Sequence, residues 1–191
     1  MALSDNEIIE QIRRGDKRRY SHLVEKYKDR AFGLALRLLK NREEAEEATE
    51  DAFIRAYNAL ERFQNRASFG TWLYRIVYNV CLTRLNSKKG GLKSLEYDEG
   101  KDYDEYPLTS QSSLYEKIEI NDMVGFVHKI IGEMPERYQV ILSLFYFQEL
   151  SYQEICEVME LPIGTVKTHL FRARAMLQER LSRELRTEKV L

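Results

Sequence analysis

The chain has 191 residues, 43% hydrophobic and 32% charged, with a formal net charge of −1. That suits one large globular domain or two small ones, and it excludes nucleic-acid binding by global charge, leaving only local basic patches. No apolar run approaches a bilayer span and no apolar leader core follows the N-terminus, so a soluble cytoplasmic protein is expected, without membrane insertion.

Leu3, Ile8, Ile9 and Ile12 recur at helical spacing and predict a short amphipathic helix over residues 3–14, ended by Gly15-Asp16. A second helix is predicted over 17–39, with Tyr20, Leu23, Val24, Tyr27, Ala31, Leu34 and Leu38 as its buried stripe. Asn41 is a candidate N-cap for a third helix reaching about residue 60, with Glu43 and Glu44 in its first turn. Ala45, Ala48, Ala52, Ala56 and Leu60 form its inner side. The outer side carries Glu43, Glu47, Glu50 and Asp51 with Ile54 among them. An acidic face repels phosphates, so it is either simply solvated or a docking site for a basic protein partner.

Over residues 63–84, FQNRASFGTWLYRIVYNVCLTR, Ser68 can cap a helix whose buried stripe is Phe69, Leu73, Ile76, Val77 and Val80. Thr71, Trp72, Tyr74, Arg75, Tyr78 and Asn79 are then left at the edge or outside. Aromatic rings beside a guanidinium suit stacking on unpaired bases and holding their backbone. The competing reading is that Trp72 and Tyr78 complete a larger core. Residues 87–114, rich in Gly, Ser and acidic side chains, read as a flexible linker. Lysine plus arginine outnumber acids 16 to 13 over residues 1–86 and 7 to 3 over 161–191 but trail 4 to 7 over 87–116, so the two ends are basic and the middle acidic.

Helices are expected over 115–132 and, starting at Pro135, over 135–147. The stretch LSYQEICEVMELPIGTVKTHLFRARAML (150–177) then reads as two helices joined by a tight turn at Glu160-Leu161-Pro162. On the second, Val166, Leu170, Ala173 and Leu177 form one stripe. Thr165, Thr168, His169 and Arg172 share another, flanked by Lys167 and Arg174. Hydroxyls and a helix N-terminus suit phosphate oxygens, and arginine suits guanine in the major groove, so this is a candidate DNA-reading helix-turn-helix. An ordinary helical hairpin with a solvated basic face is the alternative. Residues 178–191 are expected to continue the helix before fraying.

Enzymatic chemistry has little material. The three histidines, His22, His128 and His169, sit in no metal-ligand spacing, and Cys81 and Cys156 lie in helical patterns as buried thiols. No catalytic residue, metal or cofactor is expected. The Lys88-Lys89-Gly90-Gly91 run lacks the spacing of a phosphate loop.

The segments NREEAEEATEDAFIRAY, FQNRASFGTWLYRIVYN and MPERYQVILSLFYFQELSYQEICEVMELPIGTVKTHLFRARAML, in this order, resemble bacterial sigma factors of the extracytoplasmic-function type over all but the linker. The resemblance implies an all-α chain of two small helical domains. Residues 1–86 would bind polymerase and the minus-ten promoter element, and residues 115–191 would read the minus-thirty-five element. It implies that Glu47, Glu50, Asp51 and Ile54 dock on core RNA polymerase, although the family often has Asp and Gln where Glu47 and Glu50 stand. It further implies that Asn65, Ser68, Trp72, Arg75 and Asn79, with Tyr78 beside them, hold the melted strand, and that the loop 64–67 helps to form a flipped-base pocket. The helix-turn-helix would read duplex promoter DNA, with His169 where the family commonly has arginine. The linker would pass through the polymerase, and an anti-sigma factor would be a further partner. The rival reading is a stand-alone helix-turn-helix regulator that binds duplex DNA unaided.

Overall fold

The computed structural model describes residues 3–88 and 120–188, apart from the side chains of residues 120–124, 126 and 184–188. Among them every regular element is helical. The predicted linker beyond Lys88 and the start of the helix expected from residue 115 lie outside the described residues.

The first half comprises α1 (Asp5–Arg13), α2 (Tyr20–Leu39), α3 (Arg42–Ala59) and α4 (Phe69–Lys88). Ser4 and Glu7 close a reciprocal capping box on α1, and Gly15, at φ +109°, turns the chain out of it where a side chain would be strained. Leu3 therefore lies ahead of the helix and is exposed, while Ile8, Ile9 and Ile12 are buried as expected. A short 3₁₀ turn, Lys17–Arg19, leads into α2, later than the predicted start. Asn41 Oδ1 accepts from Glu44 N at 3.0 Å and so caps α3.

Ala45, Ala48, Ala52 and Ala56 have no exposed surface, and Thr49 and Phe53 join them. Small side chains let α2, α3 and α4 approach one another closely. Gly70 serves the same end at the start of α4, because a Cβ there would lie 2.9 Å from the Tyr27 ring. Tyr27 in turn packs on Phe69 (5.4 Å between centroids) and Tyr74 (6.2 Å).

The second half comprises α5 (Ile120–Gly132), α6 (Glu136–Leu142), α7 (Tyr152–Met159) and α8 (Ile163–Glu188). The helix expected over 135–147 stops at Leu142 and passes into a π-type turn, Ser143–Phe147, where Gln148 N donates to Ser143 O. That wider turn buries Ser143 and Leu144 and lets Gln148 Nε2 donate to Arg30 O on α2 at 3.2 Å. Ser151 and Glu154 cap α7 with a second capping box, and Glu160, at φ +56°, ends it in the left-handed conformation. Val166 N donates to Pro162 O at 3.1 Å, starting α8. These two helices and their turn form the predicted helix-turn-helix, held by the buried Ile155, Val158, Val166, Leu170 and Ala173.

The two halves touch. α4 packs along α7, and α2 meets α6 and the π-type turn. The Arg37 guanidinium, also on α2, lies 4.4 Å from the Phe147 ring centroid and 3.1 Å from His128 Nδ1.

Candidate nucleic-acid and polymerase interfaces

The chain between α3 and α4 is a short turn, Leu60–Arg62, followed by an exposed loop in which Asn65 adopts φ +53°. Two devices fix this loop. Ser68 Oγ accepts from Thr71 N at 3.1 Å and caps α4. On the other side Arg13 of α1 donates through Nη2 to Leu60 O (3.2 Å) and to Phe63 O. A guanidinium satisfies carbonyls that the end of α3 leaves without helical partners. Sequence reading passed over Arg13, because a contact across fifty positions leaves no local signal.

Held this way, Phe63 stacks on Trp72 at 4.8 Å and 35°, with Phe69 behind at 5.8 Å. Beside the pair opens a cavity of about 230 Å³. Phe63, Trp72 and Thr71 form its inner wall, Gln64 and Ala67 its loop side, and Arg62, Arg66 and Arg75 its cationic edge; Glu157 of α7 completes it. This volume is below the usual range for whole ligands. The loop 64–67 and Trp72 thus come together as expected, Arg75 stands exposed beside them, and Asn79 lies exposed a turn further on.

Three side chains expected at the edge or outside are buried, and for Tyr78 the competing reading of a larger core holds. Tyr78 is 3% exposed, Tyr74 2% and Thr71 1%. Tyr78 therefore belongs to the core and is withdrawn from the strand-binding set. The reason is that α4 is covered on several sides, by α2 and α3 and also by α7.

The outer face of α3 is as expected in place and less acidic in effect. Ile54 is 60% exposed, the largest exposure among the big apolar side chains of the described residues. Glu50 is exposed, Glu47 pairs with Arg84 at 2.9 Å, and Asp51 takes two bonds from Arg55, both at 2.9 Å. Such exposed pairs are each weak, and the carboxylates can exchange partners at little cost.

On α8, Lys167, Thr168 and Arg172 are exposed together, with Thr165 half-buried at the start. His169 departs from that face. It is buried, edge-on to Tyr138 at 6.1 Å, and burial followed by Arg137 and Arg172 holds its pKa below the ordinary imidazole value. A ring packed there does not reach a DNA groove. Arg174 also turns aside, its guanidinium 4.7 Å from the Phe145 centroid and 5.6 Å from that of Tyr146. Phe171 takes the vacated part of the face. It is 52% exposed between Lys167 and Arg172, an apolar residue one position out of phase with the buried stripe. That phase error was the available signal.

Both cysteines are free. Cys81 is buried, its thiol pushed up to about 12, and Cys156 is half-buried. Among the described residues no helix is long and apolar enough to cross a membrane, and no three His, Cys, Asp or Glu side chains gather as a metal site.

Known proteins share this arrangement. Residues 23–90 match the family described as Sigma-70 region 2, and residues 127–177 match that described as Sigma-70, region 4. The chain is 34% identical over 189 residues to the RNA polymerase sigma-H factor of Pseudomonas aeruginosa, covering 95% of this chain and 96% of that one. It is 32% identical over 180 residues to the ECF RNA polymerase sigma factor SigW of Bacillus subtilis, covering 91% and 94%. In fold it is similar to CnrH in its complex with the cytosolic domain of CnrY (TM-score 0.64, 19% identity, 93% of this chain and 97% of that one). It is also similar to the sigma factor RpoE in complex with the anti-sigma factor NepR from Bartonella quintana (TM-score 0.61, 19% identity, 85% and 96%). The chain belongs to the sigma-70 family as a sigma factor of the extracytoplasmic-function type, which binds core RNA polymerase and directs promoter recognition in transcription initiation.

Proposed function

We propose that the two halves divide the promoter between them, residues 1–86 opening and holding the minus-ten element and residues 115–191 reading the minus-thirty-five element as duplex. The observation that carries the first assignment is the cavity between the loop 64–67 and the Phe63–Trp72 stack, edged by three arginines. An unpaired base inserted there trades its stacking in the duplex for stacking on Trp72, while Arg62, Arg66 and Arg75 meet the phosphates. Asn65, Ser68 and Asn79 are exposed polar side chains outside the cavity lining and would add contacts to the strand. Loss of a base from the stack costs about a few kcal/mol, and these contacts offset it. No covalent chemistry is required of the protein.

On α8, Lys167, Thr165 and Thr168 take phosphates, and Arg172 reads a base edge. Phe171 is suited to a thymine methyl. His169 supports this face from beneath. Glu47, Glu50, Asp51 and Ile54 on α3 meet a basic surface of core polymerase, the isoleucine supplying the apolar centre and the carboxylates the rim. The likeness to the sigma factor RpoE in complex with the anti-sigma factor NepR supports an inhibitory protein partner of that kind. The site of action is the cytoplasm, and the regulon is a stress or envelope response.

The polymerase contact is tested by co-elution with core RNA polymerase on a sizing column. Wild type co-elutes, and Glu47→Lys/Glu50→Lys does not. Co-elution of the charge-reversed chain at wild-type strength removes α3 from the interface.

A further inference from the structure

The end of α1 and the turn after it, RRGDKRR (13–19), hold five cations and one carboxylate. Two of the cations are engaged. Arg13 reaches Glu10 at 2.9 Å and the carbonyls of Leu60 and Phe63, and Arg19 pairs with Asp16 at 3.2 Å. Arg14, Lys17 and Arg18 are exposed and make no ion pair among the described residues. The turn that presents them is fixed by its own backbone. Asp16 N donates to Gln11 O (3.0 Å), Lys17 N to Gly15 O (2.9 Å) and Arg19 N to Asp16 O (3.1 Å). It is also fixed in place, because the Arg13 bonds tie it to the chain that leads into the cavity loop. On that loop Arg62 and Arg66 are likewise exposed and without an ion pair among the described residues. The carboxylates nearest in sequence are Glu10 and Asp16, both engaged, and Glu61.

We infer that Arg14, Lys17 and Arg18 form a further nucleic-acid contact, a phosphate track for the melted strand after it leaves the cavity beside Trp72. The inference rests on the reading of that cavity as the seat of an unpaired minus-ten base. An exposed charge run is usually no more than a solvated face. Three features set this one apart. Its backbone is held rigidly, its charge is uncompensated, and it continues the cationic edge that Arg62 and Arg66 give the cavity. Like charges held close together repel one another until an anion lies among them, and a nucleic-acid backbone supplies anions at regular intervals. The direction follows from the division of the promoter. DNA on the side of the cavity toward α8 stays duplex, so the strand that remains unpaired runs the other way, toward the start of transcription. Residues 13–19 include no aromatic ring to stack on a base. The track therefore takes charge alone and adds affinity for the open strand without reading its sequence.

The test measures holoenzyme affinity for a fork-junction DNA, a promoter selected in vitro by the wild-type holoenzyme with a single-stranded tail that continues past the minus-ten element. The tail is made either with natural phosphates or with uncharged methylphosphonate linkages. Arg14→Gln/Lys17→Gln/Arg18→Gln is compared with a control of equal charge change at exposed positions elsewhere, Lys28→Gln/Lys40→Gln/Lys129→Gln. On the natural tail the patch triple is expected to bind about tenfold more weakly than the control, with a salt slope smaller by about two, as the loss of three single-strand phosphate contacts gives. Uncharging the tail should weaken the control triple and bring the two to equal affinity. Equal affinity on the natural tail overturns the inference. A deficit of the patch triple that persists undiminished on the uncharged tail overturns it too, because the cations then act on something other than strand phosphates. The seat of the base is checked apart from the track, with Trp72→Ala on a fork that ends at the minus-ten element. Wild-type affinity of that variant withdraws the cavity, whatever the triples do. Weakened affinity there, alongside equal triples, keeps the cavity and removes the track alone.

Discussion

The two candidate DNA surfaces are built in opposite ways. On α8 the contact residues are set on a helix whose other side is anchored by Val166, Leu170 and Ala173, so Lys167, Thr168, Phe171 and Arg172 project into solvent ready to dock. At the start of α4 the contact residues are half core. Trp72 packs on Phe63 and Phe69, Thr71 is buried against Glu154, and Arg75, although exposed, is paired with Glu160 at 2.6 Å. Reading duplex edges needs a rigid, open face. Capturing a base needs a cavity, and a cavity borrows its walls from the core and can be covered by a neighbour.

The largest effect that sharpens this contrast is on folding. Tyr78→Ala should destabilise the chain by about 3–5 kcal/mol, the cost of emptying a buried aromatic site, as read from urea denaturation. Phe171→Ala should change stability by less than about 0.5 kcal/mol, as surface substitutions do, while weakening promoter binding. If Phe171→Ala unfolds the chain as readily as Tyr78→Ala, the picture of α8 as an open face is wrong.

Next in size is the reading of DNA. Arg172→Ala should cost about 1–3 kcal/mol at particular base pairs, and Lys167→Ala should weaken all sequences alike and reduce the salt slope by about one. Holoenzyme affinities for a promoter and its single-base variants, at several salt concentrations, separate the two. A uniform loss in Arg172→Ala reduces that residue to a phosphate contact.

Arg13 extends the comparison to the loop. Removing it strands the Leu60 and Phe63 carbonyls, at a cost of about 1–3 kcal/mol for bonds to a charged group. Arg13→Ala should therefore impair promoter opening more than binding to the upstream duplex. An equal fall in both means that it acts through overall stability alone.

The smallest effect belongs to His169. Its folded pKa lies below the ordinary value of 6.5, chiefly through burial. The unfolded chain then binds the proton more readily, so stability is full above that value and falls as pH drops through it. His169→Gln should flatten this acid-side slope in denaturant melts between pH 7 and 5. An unchanged slope places its origin elsewhere.

The same contrast explains what was legible in the sequence. The all-α class, the caps at Asn41 and Ser68, the alanine stripe of α3 and the helix-turn-helix all follow from local spacing. The capping signals are local, and α3 and the helix-turn-helix each have one buried side and one open side. The periodicity of α4 misleads because neighbours cover more than one of its sides, so Tyr78, Tyr74 and Thr71 lie inside although they are out of phase with the first stripe. His169 lies inside and Phe171 outside for a related reason. Each sits at the border of the α8 stripe, where a helical wheel does not decide between inside and outside. Arg13, and the contacts of α7 with α4, are pairings over large sequence separations, which no window of residues contains.

The most direct measurement of the divided reading compares holoenzymes carrying Trp72→Ala or Arg172→Ala on one promoter. Nuclease protection reports duplex binding, and permanganate reactivity of thymines reports melting. The account predicts that Trp72→Ala keeps upstream protection and loses melting. Arg172→Ala loses upstream protection, yet melts the promoter once enough holoenzyme is supplied to occupy it. Loss of both signals together in both variants would contradict a division of the promoter between α4 and α8.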